Sequence, residues 1–262
     1  VADFIDITLV ANAGVLVEHA GRGLLVDGVH HEEGHPFSKV PESDLERMRD
    51  RSAPFANLEY LLFSHEHPDH FTPGRVQELV QPGHTKGLFL PDEPAGTPAL
   101  SRLLDQLRRQ GVVHRRLSLE PGRSRHFTLG YDLMVTAIGT RHMGPQYQDV
   151  RNHCYLLSLG GLRVLFTADG DHVAEYYESA LRGVSLDAVF VNPIFFHHPD
   201  GQAIIDDIFK PRHVIIYHLP FAPDDTMNFS YMVGRDMEKY ARTDRETHVF
   251  DTANQRLRLH AG

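Results

Sequence analysis

Cysteine is nearly missing from this chain: Cys154 is the only one in 262 residues. A single thiol can build neither an intramolecular disulfide framework nor a cysteine cage around a metal. It lies in CYLLSL, where alternation suggests a strand, so the expectation is a small buried packing residue and not a nucleophile. Basic runs are equally scarce. None is longer than Arg108-Arg109 or Arg115-Arg116, and the net charge is −9. That balance disfavours a surface made to neutralise phosphate backbones, so no nucleic-acid partner is expected and a small-molecule substrate fits better. No apolar stretch reaches the ~20 residues needed to span a bilayer, and no membrane partner is expected. The opening VADFIDITLV lacks the order of a secretion signal, which makes a cytoplasmic location the expectation. Linkers, low-complexity tracts and short repeats are absent too, so residues 1–262 are expected to form one domain. Nothing in the sequence specifies an oligomeric state.

What remains is an ordinary globular composition, 41% hydrophobic and 23% charged, with one excess: 19 histidines. Histidine ligates metals, moves protons, or simply caps and packs. Most of the 19 must be ordinary. His19, His84, His114, His126, His248 and His260 are expected to have surface or packing roles.

The opening segments FIDITLV, GVLVEHA and GLLVDG are separated by Gly-containing turn signals and predict an antiparallel meander. PESDLERMRD (41–50) predicts a short helix, and EYLLFS (59–64) a buried strand. A helix capped by Thr72 spans 72–80, and 87–91 is a short strand. The stretch 97–111 is amphipathic, with Leu100, Leu103, Leu104 and Leu107 on one side and Gly111 as its stop. A strand group follows across 112–139, then a hairpin about Gly160-Gly161. HVAEYYESALRG, DGQAIIDDIFK and residues 224–242 predict helices, and LDAVFVNP, RHVIIYHL, ETHVFDT and QRLRLH predict strands. Several strands lie too close together for helical crossovers, which argues for packed sheets flanked by helices.

EYLLFS delivers the chain into SHEHPDH. His65 and His67, two apart in extended chain, point the same way, and Pro68 stiffens the turn that presents Asp69 and His70. Imidazoles beside a carboxylate suit zinc or a similar borderline cation. Three further candidates each follow an apolar strand: His142 after LMVTAIGTR, Asp169 after LRVLFTA, and His218 after RHVIIY. Asp171 is a nearby rival to Asp169, and strand-end loops are where a rigid sheet can hold functional groups. Tyr217, beside His218, is expected to be a core residue because periodicity puts it opposite its neighbour.

HEHPDH resembles the HxHxDH motif of the metallo-β-lactamase superfamily, and His142, Asp169 and His218 fall in that family's order, so the likeness runs through most of the chain. It is similar to the compact metal-dependent hydrolases of that superfamily, including lactonase-like members. The glycine that commonly precedes the bridging aspartate is Ala168 here. The resemblance implies a fold of class α/β (α+β), a four-layer αββα sandwich with metals at one edge of its two sheets. It implies one metal on His65, His67 and His142, another on Asp69, His70 and His218, and Asp169 between them. Two divalent ions are implied, zinc first, with manganese or iron as alternatives, and a hydroxide held between them. Two such ions against Asp69, Asp169 and a hydroxide leave a centre of about +1, which favours small anionic substrates.

The implied activity is a dinuclear zinc-type hydrolase that cleaves an ester, lactone or related bond. A phosphodiesterase acting on a small or nucleotide-like phosphodiester is the second reading. A non-catalytic metal-binding protein or a di-iron redox protein is the third; against the last, His67 stands where the iron-dependent branch commonly places a carboxylate, and no flavin module is evident. Asp69 is the candidate to accept or relay a proton. Two loops flank the expected mouth, HHEEGH (30–35) and FFHHPDG (195–201). They offer His198 as a catalytic acid and His31 and His197 as substrate contacts, with solvated loops as the alternative and His153 and His172 as weaker neighbours.

Overall fold

Strands buried on both faces build the molecule. In the computed structural model, which describes residues 4–92 and 97–261, fourteen strands form two seven-stranded sheets. The first sheet contains β1 (Phe4–Leu9), β2 (Val15–His19), β3 (Arg22–Val26), β4 (Leu58–Leu62), β5 (Gly87–Pro91), β6 (His114–Leu117) and β14 (Arg256–His260), in the order β14-β1-β2-β3-β4-β5-β6. The second contains β7 (Ser124–Gly130), β8 (Leu133–Arg141), β9 (Arg151–Leu159), β10 (Leu162–Phe166), β11 (Ala188–Val191), β12 (His213–Ile216) and β13 (Glu246–Val249). Its order is β13-β12-β11-β10-β9-β8-β7. Within each sheet the meander half is antiparallel and the half fed by helices is parallel, as crossover lengths require.

Alternate residues of one strand serve different layers. Tyr60 and Leu62 of β4 face the space between the sheets, while Leu58 and Leu61 face the helices outside. On the second sheet, Val164 and Phe166 point inward and Leu165 points out. The first outer layer packs α1 (Glu42–Arg49), α2 (Pro73–Leu79) and α3 (Pro98–Gln110) through Leu45, Met48, Val76, Leu100, Leu103 and Leu107. The second packs α4 (Glu175–Leu181), α5 (Pro193–His197), α6 (Pro199–Ile204) and α7 (Phe229–Lys239) through Tyr177, Phe195, Phe196, Ile204 and Val233. Three apolar layers between four layers of structure make an αββα sandwich.

Local signals explain most boundaries. Thr97 Oγ1 accepts from Leu100 N at 3.1 Å, and Gly111 ends α3 in the left-handed conformation that spares glycine a Cβ clash. The β9–β10 hairpin turns on Gly160 and Gly161, both at positive φ. Where structure and expectation differ, non-local pairing or capping decides. The strand group at 112–139 divides: β6 pairs with β5 in the first sheet, and β7 pairs with β8 in the second. The last helix begins at Phe229 and not at 224, because Asp225 caps the Phe229 and Ser230 amides, each at 2.9 Å. The predicted helix over 200–210 is a short α6 followed by a π-type turn over Ile205–Phe209. The expected strand LDAVFVNP stops at Val191, and α5 over Pro193–His197, capped by Asn192, takes the start of the expected 195–201 loop.

Cys154 faces the outer helices of the second sheet, fully buried beside Thr140, Asn152 and Thr167. Burial pushes its thiol up to about 12. Native protein should therefore leave Cys154 unlabelled by a thiol reagent at pH 8 over hours and release it only on denaturation; labelling in the folded state at the rate of a free thiol would contradict that burial.

Candidate metal centre

Four strands end at one edge of the sandwich. β4 of the first sheet runs through Phe63 and Ser64 into His65, and the turn that follows is closed by the His70 and Phe71 amides, each donating to His67 O at 3.0 Å. From the second sheet, β8 ends one residue before His142, β10 three residues before Asp169, and β12 two residues before His218. Cross-links between these ends fix them: His142 bridges to Gly170, Met143 N donates to Asp169 O at 2.8 Å, and His218 N donates to Asn12 O at 2.8 Å.

The side chains converge in two groups, His65, His67, His142 and Asp169 in one and Asp69, His70 and His218 in the other; within each, the candidate ligand atoms all lie within 4.8 Å of one another. Asp169 reaches both. Its Oδ2 lies 3.2 Å from His142 Nε2, 3.7 Å from His65 Nε2 and 3.3 Å from His70 Nε2, while Oδ1 lies 3.4 Å from His218 Nε2. Asp69 Oδ2 is 3.6 Å from His70 Nε2 and 3.4 Å from His218 Nε2. These separations match neighbouring ligands on a shared cation with bonds of roughly 2.0–2.2 Å. Among the described residues, buried His65 Nε2 and His142 Nε2 have no hydrogen-bond partner, which a buried polar atom rarely tolerates unless something else meets its lone pair. Five imidazoles with two carboxylates therefore fit divalent borderline cations. Asp171, the rival, stands outside both groups and turns its Oδ1 to His172 N at 2.9 Å.

A supporting shell sets the imidazole orientations. Fully buried Asp27 accepts from Ser64 N at 2.8 Å and from Ser64 Oγ at 2.7 Å, and its Oδ2 lies 3.0 Å from His70 Nδ1. Ser64 Oγ lies 2.9 Å from His65 Nδ1, and His142 Nδ1 donates to Met143 O at 2.6 Å. Each of these contacts occupies Nδ1 and leaves Nε2 aimed at the centre. On the Asp169 side, Tyr217 Oη accepts from Ala168 N at 3.0 Å, and Asn192 Nδ2 donates to Ala168 O at 2.8 Å. Tyr217 is otherwise a core residue, as expected. Ala168 and His218 both adopt the left-handed region, at φ 49° and 60°, strain of about 1 kcal/mol each that the surrounding bonds must hold.

Charge follows the same geometry. Burial alone would lower the pKa of His70, but the Asp69, Asp27 and Asp169 carboxylates hold it well above the ordinary imidazole value. His218 is likewise raised, against burial, by Asp169. His65, buried and crowded by His70, is lowered well below it, and burial with His142 nearby brings His67 to about 4. Asp169 overcomes its burial through His218, His142 and His70 and sits well below the usual carboxylate range. The carboxylates thus favour positive charge beside His70 and His218, while His65 and His67 keep neutral lone pairs, and a bound cation would meet both demands.

The centre floors a cleft of about 940 Å³. Its walls include Phe37, Met143, Tyr147, Ile194 and Phe229, with His172 and His198 at one side. Tyr147 stands over His67 and His142, with ring centroids 5.0 and 4.6 Å away. His198 lines the cleft, its ring 3.9 Å from that of His172. Two expected substrate contacts lie elsewhere. His31 Nδ1 is bound to Val40 O at 2.7 Å and its Nε2 turns to Glu42, because the loop folds back on α1; His35 lines the cleft instead. His197, the last residue of α5, turns to Asp236 on α7 at 2.8 Å and is outside the cleft. His153 is buried between the sheets, bound to Ser64 O and the Leu119 amide. The 30–35 loop is not simply solvated, since His30 is fully buried. Sequence reasoning passed over Asp27, although it follows an apolar strand just as Asp169 does; Ser64 and Asn192 carry no such signal.

No family model matches the chain, and no curated relative matches it. Solved structures do. An isothiocyanate hydrolase from Delia radicum gut bacteria superposes with a TM-score of 0.66 at 12% identity, over 98% of this chain and 100% of that one. Igni18, a metallo hydrolase from the hyperthermophilic archaeon Ignicoccus hospitalis, gives 0.62 at 13% identity, over 99% and 100%. CmlA, a diiron β-hydroxylase from Streptomyces venezuelae, gives 0.60 at 17% identity over all of this chain, which spans about half (55%) of CmlA's length. With its paired seven-stranded sheets, outer helices and strand-end cluster, the chain has the metallo-β-lactamase fold, and its structural neighbours include metallo-hydrolases of that type.

Proposed function

We propose that the protein is a dinuclear, zinc-type hydrolase that cleaves an ester or lactone bond in a small molecule. The observation that carries this reading is Asp169, whose two oxygens reach nitrogens of both donor groups at 3.2–3.7 Å on the floor of the cleft. A pair of divalent cations held by the seven donors would supply Lewis acidity and an acidified water. The chain's own residues supply the rest. Asp69, nine-tenths buried and beside His70 and His218, is placed to accept or relay a proton. His198 Nδ1 accepts from Asp200 N at 3.2 Å, which puts the proton of the neutral ring on Nε2, the nitrogen free to protonate a departing oxygen. Phe37, Tyr147, Ile194 and Phe229 make a largely apolar wall that suits an uncharged acyl portion, and the volume suits a small substrate. The same centre would also serve a small phosphodiester, so the assays must separate the two bonds.

Protein purified without chelator and supplemented with zinc or manganese should hold at least two ions per chain; fewer than about one would refute a dinuclear centre. Chelation should abolish hydrolysis of a lactone and aryl-ester panel, and zinc should restore it. Turnover of bis-aryl phosphodiesters alone would reverse the assignment of the bond. His198→Ala should lower kcat by about 10²-fold on esters with poor alkoxide leaving groups and far less on nitrophenyl esters, which need no proton; equal loss on both would remove His198 from that role. Asp27→Asn should weaken metal affinity by roughly 10–100-fold while the fold is retained by circular dichroism; unchanged affinity would show that Asp27 does not orient His70.

A further inference from the structure

β13 is the edge strand of the second sheet, and it pairs with β12 in parallel: His213 lies opposite Glu246, and Ile215 opposite His248. Glu246 and His248 are two apart in extended chain, so they share one face of the sheet, the same face as His213. Their functional atoms meet there. His213 Nδ1 is 3.2 Å from His248 Nε2, and Glu246 Oε2 is 3.7 Å from the first and 3.6 Å from the second. Three potential ligands from two strands thus enclose one point.

We propose that His213, His248 and Glu246 form a further divalent-metal site, separate from the strand-end centre and selective for zinc-, nickel- or copper-like ions. His218 leaves β12 at its other end, on the order of 15 Å away by strand rise, so no ligand is shared. The nitrogen–nitrogen and nitrogen–oxygen separations suit adjacent ligands on one ion with bonds of about 2.1 Å. Burial holds both imidazoles below their ordinary pKa, which keeps their lone pairs available at neutral pH. The nearby cation, Arg212, is turned to Asp187 at 3.4 Å and does not occupy the point. Two imidazoles and one carboxylate favour borderline metals over calcium or magnesium. Both histidine side chains are largely covered, at 16% and 25% exposure, whereas Glu246 is open at 70%, so an ion can enter from solvent. Once bound it would clasp the edge strand to its neighbour.

The competing account is a proton shared between the two imidazoles with a carboxylate nearby. Wild-type protein, His248→Ala and Glu246→Gln would be equilibrated at the same low-micromolar free zinc and their zinc content measured. His248→Ala should hold about one zinc ion fewer per chain than wild type, with hydrolytic activity unchanged. Glu246→Gln, a change at an exposed side chain that does not endanger folding, should fill the site only at higher free zinc. Added zinc should also raise the melting temperature of wild type more than that of His248→Ala, and magnesium should raise neither through this site. Equal zinc content in all three proteins would overturn the proposal, as would a loss of zinc accompanied by loss of hydrolysis.

Discussion

Asp169 imposes the central constraint on this structure. One carboxylate approaches nitrogens of His65, His70, His142 and His218, and a second, Asp69, approaches two of them. With Asp27 buried behind His70, three anionic groups share a region from which water is largely excluded. Unpaired charges there would be prohibitively costly, so positive charge must be held among them, on imidazole rings or as bound cations. Neither partner set is local. His65 and Asp169 are over a hundred residues apart and lie on different sheets, so the electrostatic balance exists only once both sheets have packed.

The packing makes that balance possible by separating rigidity from chemistry. Strand residues such as Leu62, Phe166, Phe190 and Ile215 fill the space between the sheets and hold the strand ends in register. The donors come from the first few residues beyond those ends, where the backbone no longer owes its amides to a ladder. Those amides are then taken by side chains: Tyr217 by way of Ala168 N, Asp27 by way of Ser64 N, Asn152 by way of Asp169 N. The left-handed backbone at Ala168 and His218 is the local cost of turning two strands sharply enough to face one point. Glycine would relieve it at 168, and the Tyr217 and Asn192 bonds to that peptide offset it in its absence.

Much of this is legible in the sequence. Apolar runs ending in His65, His142, Asp169 and His218 gave the strand ends, and the density of HEHPDH marked a cluster that ordinary turns do not need. Sandwich architecture followed from strands too closely spaced for crossovers and from the resemblance those residues carry. Other features depend on who meets whom in three dimensions. Nothing within 112–139 says that β6 joins one sheet and β7 the other. His31 and His35 are alike in sequence context, yet Val40 captures the first and leaves the second facing the cleft. His197 and His198 are adjacent, and the end of α5 turns one toward Asp236 and the other into the cleft. Asp27 was visible in principle: the strand-end rule that selected Asp169 selects it equally, but nothing local indicates that His70 will stand above it.

Neighbours at 12–17% identity share the scaffold while one is named a hydrolase of isothiocyanates and another a diiron β-hydroxylase, so the sandwich alone cannot choose a reaction. What distinguishes this chain must lie in its donors and in the loops above them. The His65, His67 and His142 side presents three imidazoles together with the Asp169 carboxylate, a donor set that fits a divalent cation. Above them, Phe37 and Phe229 stack at 6.4 Å on one side and Tyr147 covers two imidazoles on another, while Gln146, Gln148, Asp171, His172 and His198 bring polar groups to the same cleft. On the proposed reading, the apolar body of an ester or lactone would lie against Phe37, Phe229 and Tyr147, with its reacting oxygen at the floor and its leaving group toward His198. A strongly anionic polymer would meet a chain of net charge −9 once it left the floor of the cleft. On the proposed reading, the choice of a small substrate would rest with these loop residues and not with the sandwich.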